Sequence, residues 1–231
     1  MHQSIVGPFN DSAVPPLSLE KAIEIFDAQA DRDDIAFGYL KDGCYARAHL
    51  MCRAFEEQGL SSKKGWVYEF GSELRADLPN GLHMYCDWHV APVLAVKLPD
   101  GKVEDLVFDP SLFNGPVTFD HWRKHFGADE KRSEVTPFGV APKNSAGDYT
   151  PGEKTDSETD KISAELMTEY IKEQNPGPRM VFESALRLLV TPSGNGKTWK
   201  AVPALVKTAP TPVDNDDFQN PDFWGAGGCA M

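Results

Sequence analysis

The chain has 231 residues, of which 41% are hydrophobic and 10% aromatic, so it is long enough and apolar enough to bury a core. Its formal net charge is −12, and such an acidic surface repels nucleic acid and anionic membranes. The sequence contains no run of about 18 apolar residues, so no membrane-spanning helix is predicted. The first residues lack the basic and apolar segments that are typical of a secretory signal.

The cysteines indicate where the protein folds. The sequence contains four of them, Cys44, Cys52, Cys86 and Cys229. They are spread too widely to resemble a disulfide framework, so we expect reduced thiols. The predicted location is cytoplasmic, or the protein is exported without a classical signal as an effector that acts inside another cell.

The N-terminal part predicts a flexible arm followed by two helices. Residues 1–16 are polar and contain proline, which is typical of an arm. Ser18 is a helix-capping residue, and the apolar residues after it predict a helix over about 19–30. A second apolar stripe predicts a helix over about 44–57, with Gly59 where a C-terminal glycine belongs.

Strands are predicted in the middle of the chain. The β-prone segments are residues 66–70, 88–98 and 102–109. Residues 99–101, Pro-Asp-Gly, are turn-forming and join the last two segments as a hairpin in which Leu98 pairs with Lys102. Pro92 lies inside the first strand of this hairpin and indicates an edge strand or a bulge.

The remaining residues complete a single domain predicted over 17–208. Its later parts are a short helix over 119–126 around Trp122, a polar loop near 141–160, a helix over about 160–174, an ambiguous apolar segment over 180–190 and a strand over 198–207. An acidic, glycine-rich tail is predicted over 209–231.

Cys44 is the candidate nucleophile. It follows Asp42-Gly43 at the predicted start of the second helix, where unpaired N–H groups and the helix dipole favour a thiolate. The same N–H groups, next to Gly43 and at Cys44 itself, could hold an oxyanion during acyl transfer. The alternative is a small buried cysteine, which is the commoner role for an isolated one.

His89 and Asp109 are the candidate base and its orienting carboxylate. In the predicted hairpin register, residue 89 faces residue 111, and residue 109 is its diagonal neighbour. Asp109 could then accept from one ring nitrogen and leave the other for a thiol. Taken singly, a strand histidine and a turn aspartate before Pro110 are commoner readings.

Further residues are candidates for the walls of a cleft. They are Tyr45, Trp66, His83 and Trp88. Aromatic residues more often belong to a core, so each has a structural alternative. His83, Cys86 and His89 have a metal-like spacing, but three such residues without a second ligand pair do not predict a metal site. We expect no metal and no organic cofactor.

These residues carry a resemblance to a known family. The run at residues 42–49, Asp-Gly-Cys-Tyr-Ala-Arg-Ala-His, resembles the nucleophile segment of bacterial protein-glutaminases, which deamidate glutamine side chains in proteins. Residues 89–91 resemble their histidine strand, and residues 109–113 with 115–117 resemble their aspartate segment. The similarity spans about 42–123.

The resemblance implies an α+β fold with a papain/transglutaminase-like core. In that core, a helix bearing the nucleophilic cysteine packs on an antiparallel β-sheet bearing the histidine and aspartate. It also implies a protein or peptide substrate with an accessible glutamine, and a thioester intermediate. A transglutaminase or cysteine peptidase on the same triad, a small-amide tailoring enzyme, and a non-catalytic binding protein on a relic fold are the alternatives.

Overall fold

The computed structural model describes residues 15–69, 73–79, 81, 83–140, 142, 155–174, 181–189 and 229–230. The helices are α1 (Leu19–Ala30), α2 (Cys44–Glu57), α3 (Phe119–His125) and α4 (Ser157–Glu173). The strands are β1 (Leu17–Ser18), β2 (Lys63–Tyr68), β3 (Leu74–Asp77), β4 (His83–Cys86), β5 (Trp88–Lys97), β6 (Val103–Val107), β7 (Val117–Thr118), β8 (Ser133–Pro137) and β9 (Cys229–Ala230).

Two sheets organise the part of the chain that the structure describes. The larger has the order β7-β6-β5-β2-β8, with β1 also pairing with β5, and the smaller has the order β3-β4-β9. All pairs are antiparallel except β1 with β5. One apolar cluster joins α1 and α2 to β5 and β6, and a second joins these strands to α3. The mixed α/β architecture with antiparallel sheets confirms this part of the predicted fold class.

The first two helices begin where their capping residues require. The side chain of Ser18 accepts a hydrogen bond from the backbone of Lys21 at 3.2 Å and starts α1. Gly43 precedes α2 with φ 81°, and Gly59, with φ 73°, follows its last turn. Both predicted helices are confirmed, and Cys44 is the first residue of α2.

The β5–β6 hairpin has the predicted register. Val93 pairs with Val107, and the amide of Leu98 donates to the carbonyl of Lys102 at 2.7 Å. The expectation that Pro92 marks an edge strand or bulge is wrong, because β5 is a central strand that also pairs with β2.

The position of Pro92 nevertheless has a structural consequence. Its carbonyl accepts from the amide of Phe108 at 2.8 Å. Proline has no N–H to return the second hydrogen bond of this pair, so the β5–β6 ladder ends there. The chain after Phe108 is therefore free to turn away from the strand at Asp109.

Other elements differ more from the prediction. The segment predicted over 66–70 is β2, and the two later helices are α3 and α4, each within three residues of its predicted start. The short strands β3, β4, β7, β8 and β9 were not predicted. The predicted arm, polar loop, late strand and tail lie wholly or mostly outside the described residues, and the domain limits stay predictions.

The expectation that the cysteines stay reduced is wrong for Cys86, which is disulfide-bonded. Cys44 and Cys52 are free. Pairing of β4 with β9 places the backbone of Cys86 opposite that of Cys229. The spacing of the cysteines along the chain did not predict a disulfide, because positions 86 and 229 become neighbours only when β9 pairs with β4. Among the described helices, none has the length and apolar character needed to cross a membrane.

Candidate active site

Cys44 lies at the start of α2 beneath a layer of aromatic residues. Its residue is only 2% exposed, and it packs with Trp66, Tyr68 and Trp88. Gly43 provides no side chain to cap the helix, so no side-chain oxygen competes at that position for the first-turn N–H groups. The nucleophile candidate therefore sits beside backbone donors and the positive end of a helix dipole.

His89 and Asp109 form a buried pair. The imidazole Nε2 lies 2.9 Å from Oδ2 of Asp109, and the two residues are 2% and 4% exposed. The chain reverses immediately after β6, where the amides of Leu112 and Phe113 donate to the carbonyl of Asp109. This turn brings the carboxylate back to β5. Because Nε2 is engaged by Asp109, Nδ1 is the nitrogen left for the hydrogen bond between His89 and Cys44.

The electrostatics of this pair favour a charged imidazole. Burial lowers the pKa of His89, but the charge and hydrogen bond of Asp109, together with Cys44, outweigh it and raise the pKa to about 9. Burial raises the pKa of Asp109, but the charge and hydrogen bond of His89 and the hydrogen bond of Trp122 outweigh it and leave the pKa lowered. Both shifts favour an imidazolium beside a carboxylate at neutral pH.

Trp122 also holds Asp109, and the sequence did not single it out for this role. Its indole Nε1 donates to Oδ2 of Asp109 at 3.0 Å, while the amide of Ser111 donates to Oδ1 at 3.2 Å. The indole ring lies 5.7 Å from the His89 ring, and the Phe126 ring lies 4.8 Å from it. No sequence signal separates such a tryptophan from one that only fills a core.

Arg47 is a second supporting residue that the sequence did not single out. Its buried guanidinium donates from Nη1 to the carbonyls of Tyr39 at 2.8 Å and Asp42 at 2.9 Å. These carbonyls belong to the segment that leads into Cys44. Arg47 follows Cys44 by three residues on the same helix, a spacing that could have drawn attention to it.

The predicted cleft residues fall into two groups. Tyr45 and Trp66 each place a ring 6.0 Å from that of Trp88, and all three belong to or pack against the apolar cluster that contains Cys44. His83 instead lies on β4, where Nδ1 contacts Asp77 at 2.8 Å. Nη2 of Arg75 is also 3.0 Å from this nitrogen, so the described polar contacts of His83 lie within the smaller sheet. The role of the first group in binding stays a prediction.

The described residues offer no evident metal site. Within the described ranges, no group of three or more histidine, cysteine, aspartate or glutamate residues has metal-binding geometry. Of the three residues with metal-like spacing, Cys86 is in a disulfide and His89 is paired with Asp109. A cavity of about 10 Å³ touches Cys44, His89 and Asp109, which is on the order of the space that one water needs.

Together these features define a mixed α/β protein in which a cysteine at a helix N-terminus meets a buried histidine–aspartate pair. This is an arrangement that can activate a cysteine for acyl transfer.

Known proteins of one family are similar to this chain. Residues 21–126 match the family model described as glutaminase. The NMR structure of protein-glutaminase from Chryseobacterium proteolyticum is 25% identical, with a TM-score of 0.56, over 71% of this chain and 94% of that one. Both findings support the protein-glutaminase family for this chain, and the resemblance drawn from the sequence is confirmed.

Two further structures share the fold. A crystal structure of protein-glutaminase is 23% identical, with a TM-score of 0.54, over 71% of this chain and 94% of that one. A crystal structure of pro-protein-glutaminase is 24% identical, with a TM-score of 0.56, over 77% of this chain and 67% of that one. A search of curated proteins gave no match.

Proposed function

We propose that this chain is a cysteine-dependent hydrolase that deamidates glutamine side chains in proteins or peptides. The observation that carries the proposal is the buried Nε2–Oδ2 hydrogen bond of 2.9 Å between His89 and Asp109, with Cys44 as the other partner of the imidazole. The family match and the shared fold support deamidation of protein glutamine.

The first half of the reaction forms a thioester. The Cys44 thiolate attacks the amide carbonyl carbon, and the carbonyl oxygen becomes an oxyanion near the first-turn N–H groups of α2. As the C–N bond breaks, the imidazolium of His89 gives its Nδ1 proton to the departing nitrogen. Ammonia leaves, and His89 becomes neutral while Asp109 stays ionised.

The second half hydrolyses the thioester. Neutral His89 takes a proton from water, and the resulting hydroxide attacks the thioester carbon. The C–S bond breaks, which returns the Cys44 thiolate and releases a glutamate side chain. His89 is again an imidazolium beside Asp109, so the site is restored without a cofactor in either step.

The test is incubation with a glutamine-rich protein, with measurement of ammonia and of product mass. We expect ammonia together with amide-to-acid mass changes, and loss of both in Cys44→Ser. Cys52→Ser is the matched control, because Cys52 is also free and buried but contacts the carbonyl of Lys63. This control should retain activity per folded molecule.

The same experiment separates the alternatives. Incorporation of an added amine identifies a transglutaminase, and new chain ends identify a peptidase. Activity on small amides but not on proteins identifies a tailoring enzyme. A folded protein that is inactive on every amide would contradict the proposal and favour a binding protein on a relic fold.

A further inference from the structure

The last two turns of α4 lie against the segment that leads into Cys44. The hydroxyl of Tyr170 donates to Oδ2 of Asp42 at 2.6 Å. The Tyr170 ring also stacks on Tyr39, with ring centres 4.1 Å apart and planes inclined by 23°. A residue distant in sequence therefore contacts both ends of the short segment 39–42.

The same ring covers Gly43. A β-carbon built on Gly43 would lie 2.6 Å from Cε2 of Tyr170, which is closer than real contacts allow. Gly43 also has a φ of 81°, a left-handed conformation that favours glycine. Gly43 therefore packs so closely against the Tyr170 ring that there is no room for a side chain.

The segment is held from its other side by Arg47. The guanidinium Nη1 donates to the backbone carbonyls of Tyr39 and Asp42. Tyr170 contacts the side chains of the same two residues, because its ring stacks on Tyr39 and its hydroxyl donates to the carboxylate of Asp42. The backbone entering α2 is therefore fixed by one group from the nucleophile helix and by another from α4.

We propose that Tyr170 is a positioning residue for Cys44, which holds the Asp42 carboxylate away from the N-terminus of α2 and keeps Gly43 in its left-handed conformation. The inference rests on the proposed function, because it assigns the first-turn N–H groups to an oxyanion. Tyr170 lies beyond the residues matched by the family model, which end at 126.

The physical reason is competition for the helix N-terminus. An aspartate next to a helix start readily accepts from first-turn N–H groups. If Asp42 did so, it would occupy the donors that the oxyanion needs and place a negative charge beside the thiolate. Burial and the hydrogen bond to Asp42 raise the pKa of Tyr170, so its hydroxyl remains a donor throughout the working pH range.

The test is Tyr170→Phe, which keeps the ring and removes the hydroxyl. We expect kcat to fall about tenfold with KM little changed, since the loss of one oxyanion donor outright costs about 10²–10³. We also expect the pH midpoint of Cys44 alkylation by iodoacetamide, read by mass spectrometry, to rise by about one unit, as a like charge nearby would cause. Thr168→Ala on the same helix is the control, because its hydroxyl bonds only within α4 to Ala164 among the described contacts.

A double variant makes the test specific. In Tyr170→Phe with Asp42→Asn no carboxylate remains, so the alkylation midpoint should return towards that of the parent protein. An unchanged midpoint and an unchanged kcat in Tyr170→Phe would overturn the proposal. An equal loss of kcat in the single and double variants, with no shift of midpoint, would also overturn it, since that pattern indicates packing alone.

The alkylation readout does not require a substrate. If the parent protein fails to deamidate any substrate but Tyr170→Phe still shifts the midpoint and Asp42→Asn reverses the shift, the proposed function fails and the positioning role stands. Melting temperatures of all variants identify any that lose activity by unfolding.

Discussion

At the scale of single residues, we expect the charge on His89 to set the pH range in which the proposed reaction runs. The pKa of His89, raised to about 9, keeps the imidazolium through neutral pH. We expect kcat/KM to fall as the pH rises through about 9, because the proton that ammonia needs is then absent. The ion pair should also stabilise the folded protein over the same pH range. Because folding raises the pKa of His89 from 6.5 to about 9, this stabilisation is fully present below pH 6.5 and is lost as the pH rises through about 9.

Asp109→Asn tests this assignment. Without the carboxylate, burial lowers the pKa of His89, so the alkaline limb of the kcat/KM profile should move to lower pH. A pH profile measured on both proteins checks the direction. An alkaline limb that stays in place in Asp109→Asn would mean that another group produces it.

The sequence revealed the residues of the proposed triad better than the residues that support them. Cys44, His89 and Asp109 stood out because each lies in a segment with a recognisable pattern, and the hairpin register brings the last two together. Trp122 and Arg47 support them through one indole N–H and one guanidinium nitrogen. The Trp122 contact depends on three-dimensional packing, which no local pattern reports, whereas the helical spacing of Arg47 from Cys44 was a weak local sign.

At the scale of elements, the entry into α2 depends on one glycine. Gly43→Ala should destabilise the protein more than Gly59→Ala, although both glycines have positive φ. Each alanine costs about 1–2 kcal/mol for a left-handed backbone. Gly59 faces open space, whereas Gly43 faces the Tyr170 ring, so Gly43→Ala adds an overpacking cost of about 1–3 kcal/mol.

Urea unfolding of the two variants measures this difference, and Gly59→Ala serves as the matched control for backbone strain. Equal losses would show that the Tyr170 ring moves aside without cost. Activity measured at equal folded fraction should fall only in Gly43→Ala, because Gly59 lies at the other end of α2.

The elements that the sequence predicted are those with strong local signals. Ser18 and Gly59 mark helix limits, and the turn at residues 99–101 fixes the hairpin. The strands β3, β4 and β9 are two to four residues long, and β9 pairs with β4 from the far end of the sequence. Their pairing is decided by tertiary packing, so their short sequences carried little information.

At the scale of the whole molecule, the disulfide of Cys86 is a testable constraint. Cys86→Ser, or reduction of the parent protein, should lower the free energy of unfolding by roughly 2–5 kcal/mol. Chemical unfolding with and without dithiothreitol measures it, and dithiothreitol should have no further effect on Cys86→Ser. If dithiothreitol leaves the unfolding curve of the parent protein unchanged, the expectation is wrong.

Peptide mapping without reduction identifies the partner cysteine. Because β9 sets Cys229 opposite Cys86 and the other two cysteines are free, the C-terminal peptide is the expected partner. A disulfide forms readily in an oxidising compartment. The compartment in which the protein folds stays a prediction.

The sealed contact between His89 and Asp109 gives the molecule a built-in spectroscopic probe. A proton held on Nε2 between an imidazole and a carboxylate, in residues with so little access to solvent, should exchange slowly with water and resonate far downfield in a proton NMR spectrum. Changes in this one signal would report ionisation of the site and binding of an inhibitor. Its loss would report local opening around the pair, and none of these measurements needs a substrate.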